Sequence, residues 1–121
     1  MRASAGDQVY VEAGARIAGI AEEVFAGCDM IVEVKEPQAS ERRILREGQI
    51  LFTYLHLAPD PEQTRDLVAS EAVCIAYETV TDAASGLPLL KPMSQVAGRM
   101  SIQAGAAALE KSHGGRGVHL A

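Results

Sequence analysis

The sequence predicts an α/β domain with a three-layer, mostly parallel sheet of the flavodoxin or Rossmann type. Three short apolar segments rich in β-branched residues begin at Met30, Gln49 and Val73, and segments of helical composition separate them. Helical crossovers of this length favour parallel neighbours and right-handed connections. The central segment, Gln49 to Asp60, is therefore expected to contain a strand buried on both faces, with His56 just past its end.

Composition indicates an ordinary globular protein. The chain has 121 residues, 48% of them hydrophobic, and a formal net charge of -5. Its eleven basic residues are scattered apart from the pair Arg42-Arg43, so no basic stripe suits a nucleic acid. No apolar stretch suits a membrane span or a signal peptide, and a cytoplasmic protein is expected. Cys28 and Cys74 lack metal-site spacing and are expected to be small buried apolar groups.

The first half of the chain predicts short elements. A helical turn is expected at Asp7–Ala13, a strand at Arg16–Ala18, and a helix at Ala21–Phe25 that a left-handed Gly27 stops. The next strand is expected at Met30–Val34, where β-branched residues dominate.

A helix is then expected from Gln38 to Glu47, with Ser40 as its cap and Gly48 as its end. The helix after the central strand begins with an N-cap, a first-turn proline and a capping-box glutamine, namely Asp60, Pro61 and Gln63. A third strand is expected at Val73–Tyr77.

The last third predicts one long helix. A loop at Thr81–Gly86 and an extended segment at Leu87–Pro92 lead to a helix from Ser94, its cap, to about Lys111. Its two apolar faces predict two neighbours, the second being another domain or another subunit. The segment Gly114–Gly117 lacks the spacing of a phosphate-binding loop and is expected to be a linker.

Three polar side chains follow the three predicted strands. In a parallel sheet Lys35, His56 and Glu78 would emerge at one edge, where such sheets bind ligands. A lysine can hold a carboxylate, a histidine can transfer protons near neutral pH, and a glutamate can orient either or bind a cation. By themselves these residues also fit a solvated loop lysine, a structural histidine and a turn glutamate, and Ser94 fits a simple helix cap.

Several motifs in order along the chain closely resemble the bacterial alanine dehydrogenase family. They are Val34–Pro37, Gly48–Ala58, Ala76–Val80, Leu87–Leu90, Pro92–Ser94, Val96–Arg99, Gln103–Ala106, Leu109–Lys111 and Gly114–Val118. The resemblance implies reversible, NAD-linked oxidative deamination of L-alanine to pyruvate and ammonia. It assigns substrate binding to Lys35, acid–base catalysis to His56, an NAD contact to Ser94 and a divalent-cation contact to Glu78.

The chain departs from the family pattern in two ways. Nothing matches the initial strands of the family's substrate domain, and no glycine fingerprint of the NAD-binding domain is found, so the chain resembles an internal piece. The expected division is residues 1–93 as a partial substrate domain and 94–121 as a long interdomain helix and tail. Glu33 stands where the family often has lysine, and Gln95 where it usually has glutamate.

Alternative functions remain open. One is a domain similar to the nucleotide-binding α subunit of proton-pumping transhydrogenase, and another is a noncatalytic dimerising or binding module derived from the enzyme. Pyruvate affinity separates the last from the others, because an assembly module has no reason to bind pyruvate at the strand ends. For each of these functions, the chain is expected to form a homo-oligomer through the long helix.

The 121-residue chain alone is expected not to turn over L-alanine, because hydride transfer requires a nicotinamide held against the substrate carbon. No tightly bound NAD is expected. A spectrophotometric assay with L-alanine and NAD tests this, and NADH formation by the chain alone would contradict it.

Overall fold

A computed structural model describes residues 6–118 and divides the chain into two compact units, Met1–Ala76 and Tyr77–Ala121. The elements of the first unit are α1 Asp7–Glu12, α2 Ala21–Gly27, β1 Met30–Val32, α3 Ala39–Arg42, β2 Ile50–Thr53, α4 Pro61–Ala69 and β3 Val73–Ala76. The second unit has a 3-10 turn at Tyr77–Thr79, helix α5 at Lys91–Leu109 and a 3-10 turn at Lys111–His113. None of the helices in residues 6–118 is long and apolar enough to cross a membrane.

The three strands form one parallel sheet in the order β1-β2-β3. Ile31, Leu51 and Cys74 lie side by side in the register, and so do Val32, Phe52 and Ile75. The predicted α/β class and the common direction of the strands are confirmed. The strands themselves are shorter than predicted, with three or four residues each.

One face of the sheet carries the core. The buried apolar side chains come from β1, β2 and the helices and loops packed on them, and they are Phe25, Ile31, Leu45, Leu51, Leu55 and Leu67. On the opposite face Val32 is 62% exposed and Val73 is 51% exposed, while Phe52 is half-buried. The prediction that the central strand is buried on both faces is therefore wrong.

The strand order explains this one-sided core. Two successive right-handed crossovers that step in the same direction place both connecting segments on the same face of the sheet. Leu45 from the first connection and Leu67 from the second accordingly share one core cluster. The order β1-β2-β3 contains no reversal that would place a crossover on the second face.

Helix α3 differs from its prediction at both ends. Gln38, not Ser40, is the N-cap, in a capping box with Glu41, and the helix ends at Arg42 instead of Glu47. Gly48 adopts a positive φ of 73°, as its predicted role at the end of this segment requires, and its N–H donates to the Glu71 carbonyl at 3.0 Å.

Two other predictions near the N-terminus are wrong. Residues 16–18 form no strand, and Gly27 is the last residue of α2 instead of a left-handed cap. The C-cap of α2 is Cys28 at φ -118°, whose N–H donates to the Val24 carbonyl at 3.0 Å. An extended residue thus ends the helix and leads directly into β1.

Helix α4 begins as its sequence predicts. Asp60 is the N-cap, its side chain accepts a hydrogen bond from the Gln63 N–H at 2.9 Å, and Pro61 lies in the first turn. The capping-box prediction for the Gln63 side chain is wrong, because that amide donates to the Leu55 carbonyl instead.

The second unit begins its long helix earlier than predicted. Pro88–Leu90 form a turn and α5 starts at Lys91, so the segment Leu87–Pro92 is not extended and Ser94 is not the cap. The Ser94 N–H donates to the Leu90 carbonyl at 3.1 Å, inside the first turn. Helix α5 has no buried residue.

The glycine-rich segment folds back onto the end of α5, and its role as a linker remains a prediction. The Gly117 N–H donates to the Leu109 carbonyl and the Gly115 N–H to the Glu110 carbonyl, both at 2.8 Å. Gly114 and Gly117 adopt positive φ, and a Cβ on Gly115 would lie 2.3 Å from the Ala108 carbonyl oxygen. Glycine is thus required for the chain to fold back onto the helix.

Leu51 is fully buried at the centre of the core, so Leu51→Ala is expected to lower the free energy of unfolding by about 2–5 kcal/mol. Val68→Ala is the control, because Val68 is 73% exposed. It is expected to change stability by less than about 0.5 kcal/mol. Urea unfolding followed by circular dichroism measures both, and equal effects would contradict the assignment of the core.

Candidate functional site at the carboxyl ends of the strands

Lys35 and His56 lie in adjacent loops at one edge of the sheet. Each residue follows its strand by three positions, since β1 ends at Val32 and β2 at Thr53. The two strands are parallel neighbours, with Val32 opposite Phe52. The structure therefore brings these two loops together as the sequence predicted, at the edge where parallel sheets bind ligands. Both side chains are exposed.

Buried polar side chains donate hydrogen bonds to the loop that carries Lys35. The hydroxyl of Thr53, which is fully buried, donates to the Lys35 carbonyl at 2.7 Å. Arg42 donates from Nη1 to the Pro37 carbonyl at 3.1 Å and from Nε to an Asp66 carboxylate oxygen at 2.7 Å. The carbonyls of Lys35 and Pro37 are thus hydrogen-bonded to side chains of β2 and α3, while the lysine side chain extends into solvent.

The loop that carries His56 has an unusual backbone. His56 adopts φ 44°, in the left-handed region that residues with a Cβ seldom occupy. Such a conformation costs on the order of 1–3 kcal/mol and persists only where neighbouring contacts impose it. The carbonyl before it, on Leu55, accepts a hydrogen bond from buried Gln63.

Glu33 adds a negative group to this edge. Its N–H donates to the Phe52 carbonyl at 3.1 Å and so continues the parallel ladder beyond β1. Burial, and secondarily the nearby carboxylate of Glu41, raise the pKa of the Glu33 carboxyl. Because Lys35 is only two residues away in the chain, the charge on Glu33 contributes to the electrostatic potential at the site.

The other two predicted site residues belong to the second unit. Glu78 is half-buried in the 3-10 turn that directly follows β3, and Ser94 is exposed on α5. Residues 6–118 contain no group of three or more histidine, cysteine or acidic side chains that could hold a metal ion. The cation contact of Glu78 and the NAD contact of Ser94 remain predictions.

The described residues do not form a cradle for a dinucleotide. A Rossmann phosphate site needs a glycine-rich turn between a strand and a helix, with N–H groups directed at the pyrophosphate. The glycine-rich segment Gly114–Gly117 follows a helix, and the N–H groups of Gly114, Gly115 and Gly117 are bonded to carbonyls of residues 109–111. Residues 6–118 thus do not fit NAD as its main binding site.

Two pockets of the first unit lie beside α4. One of about 320 Å³ is lined by Arg42, Asp66 and their neighbours on α3 and α4. The other, of about 310 Å³, is lined mostly by apolar residues, among them Leu55 and Leu57 on either side of His56 in the chain. Neither Lys35 nor His56 lines either of these two pockets.

Sequence analysis missed the polar side chains that hold these loops. Arg42, Thr53 and Gln63 are at most 8% exposed, and each donates to a carbonyl of the Lys35 loop or the His56 loop. Two signals were available: Thr53 has the same strand parity as Leu51, and Gln63 lies four residues before Leu67 on one helix face. Both spacings place a polar group on the buried face, where it needs a partner.

Comparisons with known proteins agree on one family. A model described as "Alanine dehydrogenase/PNT, N-terminal domain" matches residues 1–97. The chain is 58% identical over 114 residues to an alanine dehydrogenase of Methanococcus maripaludis and 51% identical over 112 residues to that of Mycobacterium tuberculosis. A solved structure titled L-alanine dehydrogenase superposes with a TM-score of 0.80 at 48% identity.

These alignments cover nearly all of this chain but only a small part of each relative. The Methanococcus alignment includes 94% of this chain but 31% of the relative, and the structural match covers 93% of this chain and 31% of the solved one. The chain therefore spans about a third of the length of the relatives that it matches.

Glu33→Gln is expected to stabilise the protein at neutral pH. The folded state holds the Glu33 proton more tightly than the unfolded chain, so the free energy of unfolding falls as pH rises from the ordinary glutamate range through the raised pKa. The variant loses that dependence, and its advantage is expected to appear across this window and to be absent below it. Urea unfolding at a series of pH values measures it; a pH-independent difference would contradict the raised pKa.

Proposed function

Because the chain belongs to the alanine dehydrogenase/PNT N-terminal domain family, we propose that it forms part of the substrate site of an NAD-linked L-alanine dehydrogenase. The observation that supports this most directly is that Lys35 and His56 emerge from adjacent loops of a parallel sheet. L-alanine and pyruvate share a carboxylate, and their reacting carbons exchange an amine for an oxygen. The site needs a cation for the first group and a proton carrier for the second.

Lys35 is proposed to bind the substrate carboxylate. Its ammonium group is a compact positive charge on a flexible stem, and its backbone is held by the Thr53 hydroxyl. Fixing the backbone reduces the conformational entropy that the loop loses when a ligand binds. The side chain can then adjust to the carboxylate without moving the loop.

His56 is proposed to act as the general acid and base. In the direction of deamination, it takes the proton from the hydroxyl of the carbinolamine, whose nitrogen is already protonated; the pyruvate carbonyl forms as the C–N bond breaks, and ammonia leaves with that electron pair. In the reverse direction it gives that proton back to the oxygen. NAD, when bound, accepts the hydride from the substrate carbon, and its main contacts lie outside the set of residues described here.

The remaining roles are extensions of the same proposal. Ser94 contacts NAD, Glu78 contacts a divalent cation, and the chain divides into a substrate part at residues 1–93 and an interdomain part at 94–121. Parts of both ranges, residues 1–5 and 119–121, lie outside the described residues. Helix α5 is proposed to join copies into a homo-oligomer, since several of its apolar side chains are more than half exposed, namely Met93, Val96, Met100 and Ile102.

The dehydrogenase is favoured over a transhydrogenase-like domain by the relatives. The family description includes both classes, but the relatives compared above, at 58% and 51% identity, are alanine dehydrogenases. A noncatalytic module is the third possibility, and ligand binding distinguishes it.

A chimera tests the catalytic assignment. The matched segment of this chain replaces the corresponding segment of the Methanococcus maripaludis enzyme, and NADH formation is compared with and without substitutions. Lys35→Met is expected to raise the KM for pyruvate and L-alanine by about tenfold or more, as loss of a charged hydrogen bond of about 1.5–3 kcal/mol implies. His56→Asn is expected to lower kcat by about 10²–10⁴-fold.

Arg65→Met is the control for loss of a positive charge, because Arg65 is exposed on α4 and outside the two loops. It is expected to leave both constants unchanged. Full turnover by the Lys35 and His56 variants would refute the site. Pyruvate-induced NMR shifts in the 121-residue chain, lost in Lys35→Met, provide a second measurement that does not depend on the chimera.

A further inference from the structure

We propose that Gln63 is a positioning residue for His56: its buried side-chain amide holds the Leu55 carbonyl and thereby keeps His56 in its left-handed conformation. The catalytic significance of this contact rests on the proposed function. The contact itself can be tested independently of any activity.

Gln63 is rigidly held before it reaches the loop. It is 2% exposed, and its backbone N–H donates to the Asp60 carboxylate at 2.9 Å in the first turn of α4. The same Asp60 closes the loop from the other side, because its own N–H donates to the Leu57 carbonyl at 3.1 Å. Asp60 and Gln63 together therefore fix the backbone immediately before and after His56.

The conformation of His56 needs such a restraint. Three non-glycine residues of the described chain have positive φ, namely His56, Glu71 and Ser85. Glu71 and Ser85 lie in turns or bends, whereas His56 follows a strand and precedes a helix N-cap. Holding the Leu55 carbonyl fixes the peptide plane before His56, which limits the rotation that would return φ to a negative value.

The geometry explains why an amide stands at this position. A carbonyl requires a donor; glutamate is ionised at neutral pH and can only accept, and methionine or leucine fills the space without a polar hydrogen. Glutamine has the length to reach from α4 to the chain past β2. The cost of burying it is offset by the hydrogen bond to Leu55.

A simpler interpretation is that Gln63 only satisfies a buried carbonyl and contributes to stability. Gln49 provides the matched comparison, because it is also 2% exposed and donates to the carbonyls of Phe25 at 2.8 Å and Cys28 at 2.7 Å. Gln49 acts at the amino end of β2, whereas Gln63 acts beyond its carboxyl end. The same glutamine-to-methionine substitution at the two positions distinguishes an effect on stability from an effect on the conformation of His56.

The test compares Gln63→Met and Gln49→Met in the 121-residue chain by NMR. The strong intraresidue N–H to Hα cross-peak that positive φ produces at His56 is expected to weaken in Gln63→Met, and the His56 ring signals are expected to shift. Gln49→Met is expected to lower the urea midpoint and to leave both His56 signatures unchanged. If the His56 cross-peak and ring signals are unchanged in Gln63→Met, the proposal is overturned, regardless of the turnover measured in the chimera.

Turnover in the chimera tests the catalytic consequence. Gln63→Met is expected to lower kcat by on the order of ten- to a hundredfold, the range that a small misplacement of a catalytic group produces, with the KM for pyruvate within twofold. The positioning role would be overturned if Gln63→Met shifts the His56 NMR signals but leaves kcat unchanged, while His56→Asn lowers kcat as expected. A shifted His56 where His56→Asn retains turnover would instead support the restraint and refute the proposed function.

Discussion

Parallel pairing of β2 with both of its neighbours is the constraint on which the rest of the first unit depends. Because the three strands run in one direction, the loops after β1 and β2 begin at the same edge of the sheet. The sequential order also places the connecting segments on one face, where they build the core around Leu51. One topological fact thus determines both the position of the candidate site and the one-sided burial of the sheet.

Short strands leave much of the loop backbone to be satisfied by side chains. The three strands contain three or four residues each, so few backbone groups are paired within the sheet. Arg42, Thr53 and Gln63 donate hydrogen bonds to the loop carbonyls from buried positions. No buried side-chain nitrogen or oxygen atom in the described residues lacks a partner. Polar side chains in this core therefore determine loop geometry as well as stability.

The candidate site combines firm backbone positions with exposed side chains. Lys35 and His56 extend into solvent from loops whose carbonyls are held by Thr53 and Gln63. Holding the backbone of both loops lowers the conformational entropy that they lose when a ligand binds. Family membership gives the arrangement its chemical interpretation.

The amino-acid sequence by itself determined the α/β class, the parallel direction of the strands, the Asp60 cap of α4 and the resemblance to alanine dehydrogenases. These follow from local composition, spacing and motifs, which need no knowledge of distant contacts. Tertiary structure decided which face of the sheet is covered and the left-handed backbone of His56. Both depend on contacts between segments that local pattern does not encode: Gln63 was predicted to cap its own helix, and only the folded chain brings its amide to the Leu55 carbonyl eight residues earlier.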